Sequence, residues 1–356
     1  MKQYYYSSKQ FKQLLLKVNE NILTLEIDRH RFMAMYPRTF NLEMVEKGYF
    51  DLLMFILFYG LEDIDISKTL INIYGNEKIV SYSGGADSTA VLDKFGGIPV
   101  HVLRYWSGDY EQRQIRAVIN ASGINIPTDF EKVRELYTDK IGFNIGIGYT
   151  CLFFPILPML KADTIYFGVV FDDISFYYGD TFKYTSNFST SRTYKIIQAI
   201  KKLGIKIQFP MAGYSEVLTT RIADAGRIKN YSSCNVPGTT DKCLNCYKCF
   251  RKEAIRGNQI DFKYNPKLFL KVQKILGKFP LKMASSTIYG IQHAGYDFDV
   301  FKNIDVSFLD RVNPHAQQAF FNGDKLPDFE WQTDEDMIRI KEFVKFINDH
   351  RKGFEI

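Results

Sequence analysis

Two stretches of this chain hold residues whose types and order could do chemistry. The first is Ser83-Gly84-Gly85-Ala86-Asp87-Ser88-Thr89. The apolar run Ile79 to Tyr82 before it reads as a short buried strand, and Asp87 to Phe95 reads as a helix, with a glycine turn between them. A strand that turns through glycines into a helix suits phosphate. The glycines let backbone approach an anion, the first helical amides donate to it, and the helix dipole favours negative charge there. Ser83 and Ser88 add hydroxyls, and Asp87 adds a carboxylate that could hold a magnesium ion bridging two phosphates. Ser81 and Thr89 flank the set, and Ser83, Asp87 and Ser88 are its candidate catalytic residues. The structural alternative is a glycine turn with no ligand.

The second stretch is Cys234, Cys243, Cys246 and Cys249, four of the chain's five cysteines. Two-residue gaps let successive thiolates fold back onto one ion, and the longer arm brings in the fourth. Four protein ligands close the coordination sphere, so such a site braces a loop and does not activate water. Zinc is the first expectation, with an iron–sulfur cluster as the alternative that short thiolate spacing also allows. Gly238 in the long arm and the cations Lys242, Lys248 and Arg251 suit a tight loop around a negatively charged centre. Cys151 lies among Phe and Leu residues and reads as a packed thiol.

The elements that must position these groups alternate strand and helix. Ile98 to Arg104 is a second strand, Asp109 to Ala121 a helix, Cys151 to Leu160 an apolar helix, and Thr164 to Val170 a further central strand. Ser191 to Leu203 reads as a basic helix, Ile205 to Phe209 as a strand, and Ser215 to Ala225 as a helix. This alternation predicts an α/β fold with a doubly wound, mainly parallel sheet, whose ligands lie beyond the carboxyl ends of the strands. Arg104 and Tyr105 stand at one such end as candidate nucleotide-binding residues, and Trp106 beside them suits either an adenine wall or buried packing. Asp172, Asp173 and Ser175 stand at another, where they suit magnesium, a polar substrate, or an ordinary surface turn. Lys183, Arg192, Lys195 and Arg221 are all candidates for a phosphate-neutralising cation, and the sequence does not choose among them.

The chain has 356 residues, a net charge of +6, and 46% hydrophobic and 24% charged residues, which suits a soluble globular protein. Its basic residues are dispersed, so nucleic acid is permitted as a partner without being indicated. With 30 Phe and 23 Tyr, a lone aromatic carries little functional weight. The N-terminus has no signal-type apolar core, the stretch Tyr49 to Tyr59 is too short to span a membrane, and clustered cysteines suit a reducing compartment. A cytoplasmic protein is expected. Residues 1–76 form an accessory region with a helix near Gln10 to Asn19, a strand at Ile22 to Ile27 and an apolar helix from Leu42 to Tyr59. In it, His30 lies among Arg29, Arg31 and Arg38, a cluster that reads chiefly as a solvated face. Residues 77–256 form the nucleotide-binding domain. Residues 257–356 form a helical extension, with helices at Ile260 to Leu276 and Asp334 to Arg351, which could pack on the core, dimerise or bind a partner. His293 and His315 read as structural or surface residues.

The Ser-Gly-Gly-x-Asp-Ser order resembles the pyrophosphate (PP) loop of the N-type ATP pyrophosphatases and lacks the Gly-Lys-Ser/Thr of a Walker A loop. With Gly168-Val-x-x-Asp-Asp-x-Ser175 and the four-cysteine run, residues 77–256 resemble the 7-cyano-7-deazaguanine synthase family. The resemblance implies an adenine nucleotide alpha hydrolase-like fold and an ATP-dependent carbon–nitrogen ligase. Such an enzyme adenylates the carboxylate of 7-carboxy-7-deazaguanine with release of pyrophosphate; ammonia then displaces AMP, giving an amide and finally a nitrile. It further implies ATP and magnesium at Ser83, Gly84, Gly85, Asp87 and Ser88, a substrate pocket at Asp172, Asp173 and Ser175, and zinc at the four cysteines. The chain departs from the family's pattern at Asp173-Ile-Ser-Phe-Tyr-Tyr-Gly-Asp180, at Cys243-Leu-Asn-Cys246, and in both extensions. Relatives with such extensions occur in phage-defence or modification gene sets, where the acceptor can be another molecule, a protein included. Alternative readings are a tRNA-thiolating or sugar-amidating PP-loop enzyme and a non-catalytic ATP-sensing module.

Overall fold

The computed structural model describes residues 1–104, 110–139, 142–143, 147–170, 192–211, 214, 216–229, 231, 233–234, 243–276 and 284–297. Tyr105, Trp106, Asp172, Asp173, Ser175, Lys183, Gly238, Lys242, His315 and the helix expected at Asp334 to Arg351 lie outside the described residues. The chain divides into two compact units. The first comprises Met1–Ser83, Gly97–Tyr166 and Arg192–Ile207, and the second Gly84–Gly96, Phe167–Ser191 and Gln208–Ile356.

The first unit is built on a nine-stranded sheet. Its front is a meander of β1 (Lys2–Tyr5), β2 (Leu14–Asn19), β3 (Ile22–Ile27) and β4 (His30–Met35), each antiparallel to the next. The helix expected near Gln10 to Asn19 is therefore strand β2. Leu14, Leu15, Leu16 and Val18 are all buried, so both faces of this strand are covered and no polar alternation marks it as a strand. Arg29, His30, Arg31 and Arg38 are exposed, as a solvated face requires.

β4 joins β7 (Ile124–Thr128) antiparallel at Ala34 and Thr128, and Asp129 fastens the junction by accepting from Met33 N–H at 2.7 Å. β7 then pairs parallel with β6 (Ile98–Arg104), and β6 parallel with β5 (Glu77–Ser81). β8 (Ala162–Phe167) and β9 (Lys206–Gln208) complete the order β1-β2-β3-β4-β7-β6-β5-β8-β9. The sheet is thus mixed and not mainly parallel, because the front strands are its continuation. Helix α1 (Lys47–Leu57) buries Tyr49, Phe50, Leu52, Leu53 and Met54 and packs on a 3-10 helix at Gly148–Ile156. That segment takes the place of the α-helix expected at Cys151 to Leu160, with Pro155 inside it removing a donor. Helices α2 (Ala86–Phe95), α3 (Tyr110–Asn120) and α4 (Arg192–Lys202) follow β5, β6 and β8 in chain order.

In the second unit α2 packs on α5 (Glu216–Ala225), and α6 (Tyr247–Ile255) packs on α7 (Pro266–Leu276) and α8 (Ala284–His293). Phe250 of α6 is fully buried, its ring centroid 5.8 Å from Phe262 and 5.6 Å from Tyr296. Tyr247 and Thr287 share a 2.8 Å hydrogen bond between their hydroxyls. Among the described residues no helix is long and apolar enough to cross a membrane.

Candidate functional site

The turn is made as its glycines predict. Gly84 has φ +72°, a conformation that side chains rarely tolerate, and Gly85 takes the extended N-cap position of α2. Thr89 N–H donates to Gly85 O at 3.0 Å, and the Ser88 hydroxyl donates to the same carbonyl at 3.2 Å. Ser88 and Thr89 are buried. Gly168 lies against the first turn of α2, since a Cβ there would be 2.7 Å from Ser88 N and 2.9 Å from Asp87 C. Only a residue without a side chain lets the two backbones meet so closely.

Asp87 sits in the first turn of α2, where the dipole favours a carboxylate. Its Oδ1 accepts from Thr219 Oγ1 at 2.5 Å and lies 4.0 Å from Lys252 Nζ, and its side chain is 29% exposed. Solvent, and therefore a ligand, can reach it. Behind it Lys252 is almost fully buried, and its ammonium meets Glu216 Oε1 at 2.8 Å and donates to Thr220 Oγ1 at 2.8 Å. Arg251 Nη2 donates to the same Glu216 oxygen at 2.8 Å. Burial raises the pKa of Glu216, but the Arg251 and Lys252 charges and hydrogen bonds outweigh it and bring the carboxyl down to about 2. Ala86 N–H donates to Ser233 Oγ at 3.1 Å.

Ser81 ends β5 with its hydroxyl 3.4 Å from the Tyr149 hydroxyl, and the charge of Arg104, the last residue of β6, acts on that same phenol. The first unit thus brings Ser81, Arg104 and Tyr149 together. Ser83 closes this unit and Gly84 opens the other. Arg192, Lys195 and Arg221 are exposed.

The four cysteines converge. Their sulfurs all lie within 4.8 Å of one another, with Cys234 and Cys246 at 4.0 Å and Cys243 and Cys249 at 3.7 Å. A tetrahedral ion with metal–sulfur bonds of about 2.3 Å sets its ligands about 3.8 Å apart, so the cluster can hold a metal ion such as zinc. Cys246 is also the N-cap of α6 and accepts from Cys249 N–H at 3.4 Å, while Cys243 accepts from Asn245 N–H at 3.3 Å. The Cys249 thiol and N–H stabilise the Cys246 thiolate and draw its pKa down to about 4. Leu244, between the first pair, turns the loop with φ +47°. Arg251 donates its hydrogen bond to Glu216 on α5. Cys151 is fully buried, and burial pushes its thiol pKa well up.

Thr219, Glu216 and Lys252 are absent from the residues singled out in the sequence, whereas Gly168 and Ser233 stand in its motifs without a role of their own. Lys252 carries a signal, because it lies about one helical turn beyond Cys249. Thr219 and Glu216 sit in an ordinary amphipathic stretch and carried none.

A family model described as a family of unknown function (DUF6395) matches residues 195–317, which include the cysteine cluster, α5, α6 and Lys252 but not the turn at 83–89. Neither the curated proteins nor the solved structures yield a match.

Proposed function

We propose that this chain is an ATP-dependent carbon–nitrogen ligase of the PP-loop kind. It transfers AMP to a substrate carboxylate with release of pyrophosphate, then passes the acyl group to ammonia or another amine. Asp87 carries the reading. It is an accessible carboxylate on the first turn of a helix entered through two glycines, and it is held by Thr219 instead of capping its own helix. A magnesium ion at Asp87 would offset charge on the departing pyrophosphate.

The chain's own part is to bind and align. The glycine turn lets phosphate approach the backbone and α2 directs its dipole at the charge, while the buried Ser88 hydroxyl braces the turn through the Gly85 carbonyl. A carboxylate oxygen bonds to the α-phosphorus as the bond from that phosphorus to the bridging oxygen breaks. The amine nitrogen then attacks the acyl carbon, AMP leaves with its electron pair, and a proton passes to solvent. No nucleophilic side chain is needed. By resemblance, 7-carboxy-7-deazaguanine or a similar carboxylate is the first acceptor to try, with zinc at the cysteines and the cytoplasm as the compartment. The experiment is product analysis with ATP, magnesium, that acid and ammonia. AMP and pyrophosphate are expected, and are lost in Asp87→Ala; ADP and phosphate would overturn the reading, and a brown, iron-containing protein would favour thiolation.

A further inference from the structure

We infer that the cysteine centre holds the Asp87 turn in shape, with Ser233 and Lys252 as its two positioning residues. The ligands reach the turn along two separate pieces of chain. Cys234 is the neighbour of Ser233, whose hydroxyl accepts from Ala86 N–H at 3.1 Å. Cys246 and Cys249 open α6, and one turn later that helix delivers Lys252 to within 4.0 Å of Asp87. Between these contacts Lys252 is tied to Glu216 and Thr220, each at 2.8 Å, while Thr219 on the same helix bonds Asp87 at 2.5 Å. All of these groups belong to one compact unit.

The physical consequence follows from what joins the two pieces. An ion shared by Cys234 and the α6 cysteines fixes residue 233 relative to residue 252, and so fixes both against the first turn of α2. Without the ion, four sulfurs crowded within 4.8 Å have no common partner, and the arm ending at Ser233 is no longer tied to α6. The Ala86 N–H then loses its acceptor and Asp87 its nearby ammonium. This coupling holds whatever the turn binds and does not depend on the proposed reaction.

The test uses the full-length chain without nucleotide and reads metal content together with amide hydrogen exchange. Stripping the metal with a chelator should raise exchange about tenfold in peptides covering 84–92 and 216–225, leave β2 to β4 unchanged, and be reversed by added zinc. Lys252→Met should keep one metal ion per chain yet raise exchange in 84–92 to a similar degree. Lys252→Arg should restore protection, because it returns a cation to Glu216 and Asp87. The inference fails if the isolated chain binds no metal, if stripping changes exchange only around 243–250, or if Lys252→Met leaves 84–92 protected. Should stripping unfold the whole chain, the lysine variants decide the question alone. Failure of AMP formation with coupling intact would count against the proposed reaction only.

Discussion

Thr219 Oγ1 donates to Asp87 Oδ1 at 2.5 Å, a bond between residues 132 positions apart in sequence. It pins the carboxylate of the turn from the neighbouring helix. One oxygen is thereby fixed, and the side chain is kept from folding back over the first amides of α2.

Thr219→Val removes that hydroxyl and little volume. Thr219 is fully buried, so the fold should lose about 1–2 kcal/mol while Asp87 gains rotamer freedom. The magnesium concentration giving half-maximal AMP formation should rise roughly tenfold, with only a modest shift in melting temperature. An unchanged magnesium requirement would show that the bond is not functional.

Gly168→Ala should do more damage than one methyl suggests. Its Cβ would meet backbone, Ser88 N at 2.7 Å and Asp87 C at 2.9 Å, and backbone cannot swing aside as a side chain can. A loss of about 1–3 kcal/mol is expected in denaturant titration. Nucleotide binding measured by calorimetry on the folded variant should weaken as the first turn of α2 shifts.

The ion triplet of Glu216, Arg251 and Lys252 sets an acid limit. The folded-state carboxyl titrates at about 2, below its ordinary 4.5, so it stabilises the fold above pH 4.5 and that contribution fades as pH falls toward 2. Its full size is on the order of 3 kcal/mol. Glu216→Gln should flatten the decline in stability between pH 4.5 and 2, and Arg251→Met should cost about 3–5 kcal/mol at neutral pH by stripping a buried carboxylate of a partner.

The five thiols should fall into two classes. Cys151 is fully buried with a raised pKa, so alkylating reagents should reach it only after denaturation. The four clustered thiols should be protected by metal and modified together once a chelator has removed it. Mass spectrometry of labelled peptides reads both.

How much of this was legible in the sequence varied with how local each signal was. The sequence marks β6 to the residue, and β5 and α2 to within a residue or two, because apolar runs bounded by glycine are local signals. The cysteines declared themselves by spacing, and their convergence needed no long-range knowledge. β2 was hidden because it is apolar on both faces, and β4 because exposed His30 and Arg31 at its start read as a surface. The mixed character of the sheet was hidden with them, because β1 and β7, which the sequence also leaves unmarked, complete the antiparallel part. Thr219 and Glu216 became visible only when tertiary packing set α5 beside α2.

The junction of β4 with β7 places a demand on synthesis. The Thr128 hydroxyl that bonds the Met33 carbonyl lies 95 positions farther along the chain. As the polypeptide emerges, β1 to β4 can zip up from local contacts alone, yet their last strand must wait with its rim open until the later partner arrives. That interval is when a growing copy is most exposed to pairing with a neighbour, so slowing translation after the meander, or crowding nascent copies, should lower soluble yield more than any change at the turn.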